Sequence, residues 1–127
     1  MPQADRRRSV RYAVKNCTAL FRRRRMLFLF EGDPPHRGPV VDLSSQGISF
    51  ITKRTLRPGD VILISFDIPF EVYAVPRGFR LKARVKWIGA AAGMEGLKRV
   101  GCAFNPLRRD EHELITRIIR YGILRER

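Results

Sequence analysis

A chain of 127 residues can bury a core without disulfides or a structural metal, and its 44% hydrophobic content supports folding as one domain. Lys and Arg number 26 against 12 acidic residues, a formal net charge of +14, which draws the chain to anions: nucleic acid, acidic lipid, an acidic protein or a nucleotide. Cys17 and Cys102 have no CxxC spacing, which argues against a zinc or redox motif. Both read as small buried hydrophobes in strands. The start, Met1-Pro2-Gln3-Ala4-Asp5, lacks the apolar run of a signal peptide, and no stretch has the apolar length of a membrane span. A cytoplasmic location is the expectation.

Residues 1–11 are polar and mostly charged, without hydrophobic period, and read as a flexible basic arm; residues 12–127 read as the folded domain. A first strand is expected over Ala13 to Phe21. Arg22 to Arg25 follow as a strand end or hairpin turn, and Met26-Leu27-Phe28-Leu29-Phe30 has the length and apolar character of another strand. Glu31 to Gly38, with two prolines and two glycines, is expected to turn. Pro39 to Leu43, Ile48 to Thr52 and Val61 to Ile68 are the next strands, with Arg57-Pro58-Gly59-Asp60 as a turn between the last two. The clearest alternation runs from Arg80 to Trp87. Leu81, Ala83, Val85 and Trp87 are expected on a buried face, opposite Arg80, Lys82, Arg84 and Lys86. After a small-residue loop over Gly89 to Gly96, Arg99 to Phe104 repeats the alternation. The period then lengthens to that of a helix, about 107–124, with Leu114, Ile115, Ile118 and Ile119 on one stripe, acids early and arginines late. Asn105-Pro106 is read as its cap and first turn. Strands followed by one amphipathic helix give a mainly β chain: a small antiparallel six-stranded barrel covered by a C-terminal helix.

Two short motifs about thirty residues apart carry the chemistry: Arg7-Arg8-Ser9-Val10-Arg11 and Asp42-Leu43-Ser44-Ser45-Gln46-Gly47. Guanidiniums fork onto phosphate oxygens or onto the O6 and N7 edge of guanine, and they also stack on its ring. In an extended segment Asp42 and Ser44 share a face, an acceptor beside a hydroxyl, suited to the donor edge of guanine. Gly47 permits a tight turn or a close approach where a Cβ would intrude. Together they describe a site for a guanine-bearing, doubly anionic ligand. An RxxxR, then a D/NxSxxG, then strands and a terminal helix resemble the PilZ domain, the bacterial receptor for cyclic diguanylate (cyclic di-GMP), over nearly the whole chain. Arginine is so frequent, 21 of the 26 basic residues, that RxxxR recurs at Arg80 and Arg84; the conjunction of the two motifs carries the resemblance.

The resemblance implies that Arg7 and Arg11 grip phosphate and guanine, that Asp42 and Ser44 contact guanine, and that Gly47 makes the turn. It also implies that the residue before RxxxR, here Arg6, influences whether one ligand or an intercalated pair binds, with a weak tilt toward two molecules. Signalling to an unidentified protein partner, in motility or biofilm control, is the family's expectation. No nucleophile elbow, HExxH or Walker glycine loop is present, so a binding module is expected rather than an enzyme, with no cofactor or metal. Two alternatives stand beside it: a basic barrel that binds nucleic acid through Arg80 to Lys86, and an interaction scaffold that no longer binds nucleotide. Arg22 to Phe30 also reads as a basic and aromatic patch for an anionic membrane surface or a partner, and Pro69 to Phe79 as a second interaction loop or a self-packed connection.

Overall fold

The computed structural model describes residues 12–13, 17–32, 34–67 and 79–125. The arm carrying Arg6, Arg7 and Arg11, and all of the Pro69 to Phe79 segment except Phe79, lie outside the described residues.

Eight strands precede one helix: β1 (Tyr12–Ala13), β2 (Thr18–Met26), β3 (Leu29–Phe30), β4 (His36–Leu43), β5 (Gly47–Thr52), β6 (Val61–Asp67), β7 (Arg80–Ala90), β8 (Lys98–Phe104) and α1 (Arg109–Arg125). Six of them close into an antiparallel barrel in the order β2-β4-β5-β8-β7-β6 and back to β2, so none of these six is left as an open edge. Closure depends on β2, which pairs with β4 from Thr18 to Phe21 and with β6 from Thr18 to Arg23. The same edge of β4 then continues past β2 and receives β1, where Tyr12 lies opposite Leu43 and Ala13 opposite Asp42.

The interior follows from period-two alternation. Ala19 and Phe21, Ile48 and Phe50, Ile62 and Ile64, Leu81, Ala83 and Val85, and Val100, Cys102 and Phe104 are all buried in one cluster. Phe21 and Phe50 meet at a centroid distance of 4.9 Å. Ile115, Ile118 and Ile119 of α1 join this cluster, so the helix seals the barrel with the stripe expected from its 3.6-residue spacing. Each fully buried side chain of this size contributes roughly 1.5–3 kcal/mol.

Four local expectations are corrected. Met26 to Phe30 is not one strand: β2 runs on to Met26, Leu27 and Phe28 form the turn, and β3 returns against β2, leaving these apolar residues exposed beyond the barrel. A run of apolar residues cannot by itself distinguish a buried strand from a hairpin tip. β4 begins at His36 inside the expected turn, because His36 to Pro39 find partners on β2. The helix is capped by Arg108 rather than Asn105: Glu111 reaches back to accept the Arg108 N–H at 2.8 Å, and His112 N–H donates to the Arg108 carbonyl at 2.9 Å. Trp87 leaves the buried face of β7, for a reason that matters to the site.

Candidate functional site

Asp42 sits near the end of β4, just past an irregularity in its pairing with β5, where Val40 opposes Phe50 but Asp42 opposes Ser49. Its carboxylate bridges two neighbouring strands. Oδ1 accepts the Ser49 hydroxyl at 2.8 Å, and Oδ2 accepts Arg99 Nη2 at 2.8 Å; the same Nη2 donates to Ser49 Oγ at 3.2 Å. Three adjacent strands, β4, β5 and β8, therefore contribute one acid, one hydroxyl and one guanidinium to a single cluster on the outside of the barrel. Arg99 Nε is buried without a hydrogen-bond partner among the described residues.

The cluster extends to an aromatic. Val85 of β7 opposes Cys102, but Trp87 opposes Gly101, so one extra residue, Lys86, is inserted at a bulge. A one-residue insertion reverses the facing of the residues beyond it. Trp87 consequently turns outward, 41% exposed. Its indole occupies the space above Gly101, where an added Cβ would come within 2.1 Å of the ring. The Arg99 guanidinium carbon lies 5.6 Å from the ring centroid, within cation–π range. An indole face, a planar guanidinium and a carboxylate on one patch supply a stacking surface, donors and an acceptor, the chemistry a purine base uses.

Ser44 and Gly47 shape the turn after Asp42. Ser44 is buried, and its Oγ accepts the backbone N–H groups of Gln46 at 3.1 Å and Gly47 at 3.2 Å, while its own N–H donates to the Gly47 carbonyl at 2.9 Å. The hydroxyl thus satisfies the backbone of its own hairpin. Gly47 is buried at the start of β5 opposite Ala103, and a Cβ there would lie 2.3 Å from the Cys102 carbonyl oxygen. Glycine is required by the closeness of β8. The structure therefore brings Asp42, Ser44 and Gly47 together at one end of the β4–β5 hairpin.

Arg99, Ser49 and Trp87 belong to neither sequence motif, and the structure adds them to the site. Two signals in the sequence point toward them: an isolated Gly101 inside a strand pattern, which marks close approach or irregularity, and Trp87 closing a basic alternation. A separate open groove of about 530 Å³, lined by His36, Arg37, Thr52, Lys53 and Arg54 among others, contains none of Asp42, Ser44 and Gly47. Among the described residues, no helix is long and apolar enough to cross a membrane.

The family model described as PilZ domain matches residues 5–121. Among solved structures, the chain is similar to the PilZ domain with c-di-GMP of YcgR from Escherichia coli, at 16% identity and a TM-score of 0.64 over 96% of this chain and 95% of that one. It is also similar to the K. pneumonia MrkH–c-di-GMP complex (17% identity, TM-score 0.63, 94% of this chain and 53% of that one) and to the Bacillus subtilis inhibitor of motility MotI/DgrA (14% identity, TM-score 0.61, 99% and 56%). The chain spans about half the length of these last two. At these identities the likeness is one of fold. No curated protein matches the chain.

Proposed function

The chain belongs to the PilZ domain family, and on that premise we propose that it is a receptor for cyclic di-GMP, gripped by Arg7 and Arg11 with Arg6 beside them, and held against Asp42 at the Ser44–Gly47 turn. The observation that carries this reading is the pairing of β1 with β4, Tyr12 opposite Leu43 and Ala13 opposite Asp42. Arg11 is one peptide bond from β1 and Arg7 five residues from it, a span of at most about 18 Å of extended chain. Chain connectivity alone thus keeps both arginines of the first motif within that reach of the strand that pairs with Asp42. Similar structures solved with c-di-GMP support the ligand's identity.

In this mechanism the Asp42 carboxylate accepts from guanine N–H groups, and the two arginines donate to the phosphates and stack on the bases. Docking the arm fixes several backbone residues at about 1–2 kcal/mol each, and the charge-assisted contacts offset that loss. Binding then changes the surface presented to a protein partner through the arm. Arg7→Ala or Arg11→Ala should weaken binding by roughly 2–5 kcal/mol, as removal of one member of a desolvated charged contact does. Equilibrium dialysis showing wild-type affinity in either variant would remove this mechanism.

A second reading rests on β7, whose Arg80, Lys82, Arg84 and Lys86 are all exposed. A basic strand of this kind suits a phosphate chain. Binding to an oligonucleotide would weaken steeply with salt by counterion release, a slope the dinucleotide should lack. A salt titration with each ligand separates the two readings.

A further inference from the structure

The hairpin of β2 and β3 projects past the barrel and ends in four apolar side chains with high exposure: Met26 66%, Leu27 73%, Phe28 89% and Leu29 58%. Scattered exposed apolar residues are ordinary; four contiguous ones at a tip are not. Directly behind them β2 carries Arg22, Arg23, Arg24 and Arg25, of which Arg24 and Arg25 are exposed. The nearest acid, Glu31, is turned into the hairpin's root. It accepts the Arg23 N–H at 3.1 Å, pairs with Arg54 and approaches His36 at 3.4 Å, while its own N–H donates to the Arg23 carbonyl at 3.0 Å. Arg22 Nη1 is fastened to the Gly32 carbonyl at 3.0 Å. The root is thus tied by hydrogen bonds and ion pairs, and the apolar tip is held away from the core.

We propose that this tip inserts into the headgroup–acyl boundary of an anionic lipid bilayer, with Arg24 and Arg25 on the lipid phosphates. Spacing supports it. At about 3.3 Å per residue, Arg24 and Arg25 stand roughly 7–10 Å behind Leu27 and Phe28, matching the roughly 5–10 Å to which interfacial elements bury their apolar face. The arginine stems extend the apolar surface while the guanidiniums stay at the phosphates. Charge is complementary: the chain is +14, and the tip from Arg22 to Phe30 contains no acid. Four side chains are also far fewer than the roughly 20–30 residues per side of a stable protein interface, which leaves a lipid surface as the better match for the tip. This inference does not depend on the nucleotide reading.

The test is co-sedimentation of the full chain with extruded vesicles of phosphatidylcholine alone or with about 30% phosphatidylglycerol, at about 0.1 M and about 0.5 M salt. The expected result is binding to the anionic vesicles with a fraction that persists at high salt. Leu27→Ser with Phe28→Asp should lower the partition coefficient at least about tenfold while leaving the circular dichroism of the barrel unchanged. In Phe28→Trp, emission should shift to the blue on vesicle addition and be quenched by brominated lipid, read as a difference from the Trp87 background. Equal binding by the tip variant would mean that net charge alone attracts the chain, and would overturn the proposal. Self-association in sedimentation equilibrium that the same variant abolishes would assign the tip to a second copy, and would overturn it as well.

Discussion

At the scale of single residues, the three members of the second motif make different contacts within the protein. Asp42 faces the outer patch, whereas Ser44 is closed into its turn and Gly47 into the β5–β8 contact. Ser44→Ala removes the acceptor for two backbone N–H groups in a buried hairpin and should destabilise the protein by about 1–3 kcal/mol in urea denaturation. Gly47→Ala forces a Cβ against the Cys102 carbonyl and should cost about 1–3 kcal/mol by the same measurement, since β8 must shift. A wild-type midpoint for either variant would contradict these roles. The motif's type and spacing are legible in the sequence because carboxylate, hydroxyl and glycine are rare in combination in so arginine-rich a chain. The partners of Asp42 are not, because Ser49 and Arg99 reach it across strands whose register no local pattern encodes. Trp87 departs from its expected face for a similar reason: an alternation that runs unbroken through the sequence hides a bulge, which only the pairing with Gly101 reveals.

At the scale of elements, strands with a period of two and the helix with its 3.6 period match their sequence patterns, because burial enforces those periods on β6, β8, α1 and the part of β7 before its bulge. The β2–β3 hairpin defeats the pattern, since its tip is apolar and yet exposed. Its root rests on Glu31, and that dictates a pH dependence. Burial alone would raise the Glu31 pKa, but the Arg23 backbone N–H together with Arg54, His36 and Arg23 outweighs it and holds the value below the ordinary 4.5. A carboxylate with a lowered folded pKa contributes stability that is complete above its unfolded value and is lost as pH falls through the lowered one. Hydrogen exchange at Arg23 and Glu31 should therefore accelerate as pH drops from above 4.5 toward the depressed value, after correction for intrinsic rates. Glu31→Gln should flatten that dependence. An unaltered pH profile in the variant would show that the network does not tie the root.

At the scale of the whole molecule, closure of six strands and the helix seal place both cysteines out of reach. Burial pushes each thiol up to about 12, with the Asp67 charge adding to the effect at Cys17. Thiolate is the reacting form, so a disulfide-exchange reagent at about pH 8 should label Cys17 and Cys102 only as fast as the barrel opens. Rapid labelling of the native protein would contradict a closed barrel. The excess of positive charge serves a different end: it raises the encounter rate with any anion without choosing among them, and under the proposed function the choice falls to Asp42 and the arginines of the first motif. The most direct measurement is calorimetric titration of the full chain with cyclic di-GMP, run beside Arg11→Ala and Asp42→Ala and a linear guanine dinucleotide at two salt concentrations. Saturable heat with the cyclic ligand, lost in both variants and only weakly dependent on salt, is the predicted result; absence of heat from a folded sample, or binding untouched by both substitutions, would contradict the account.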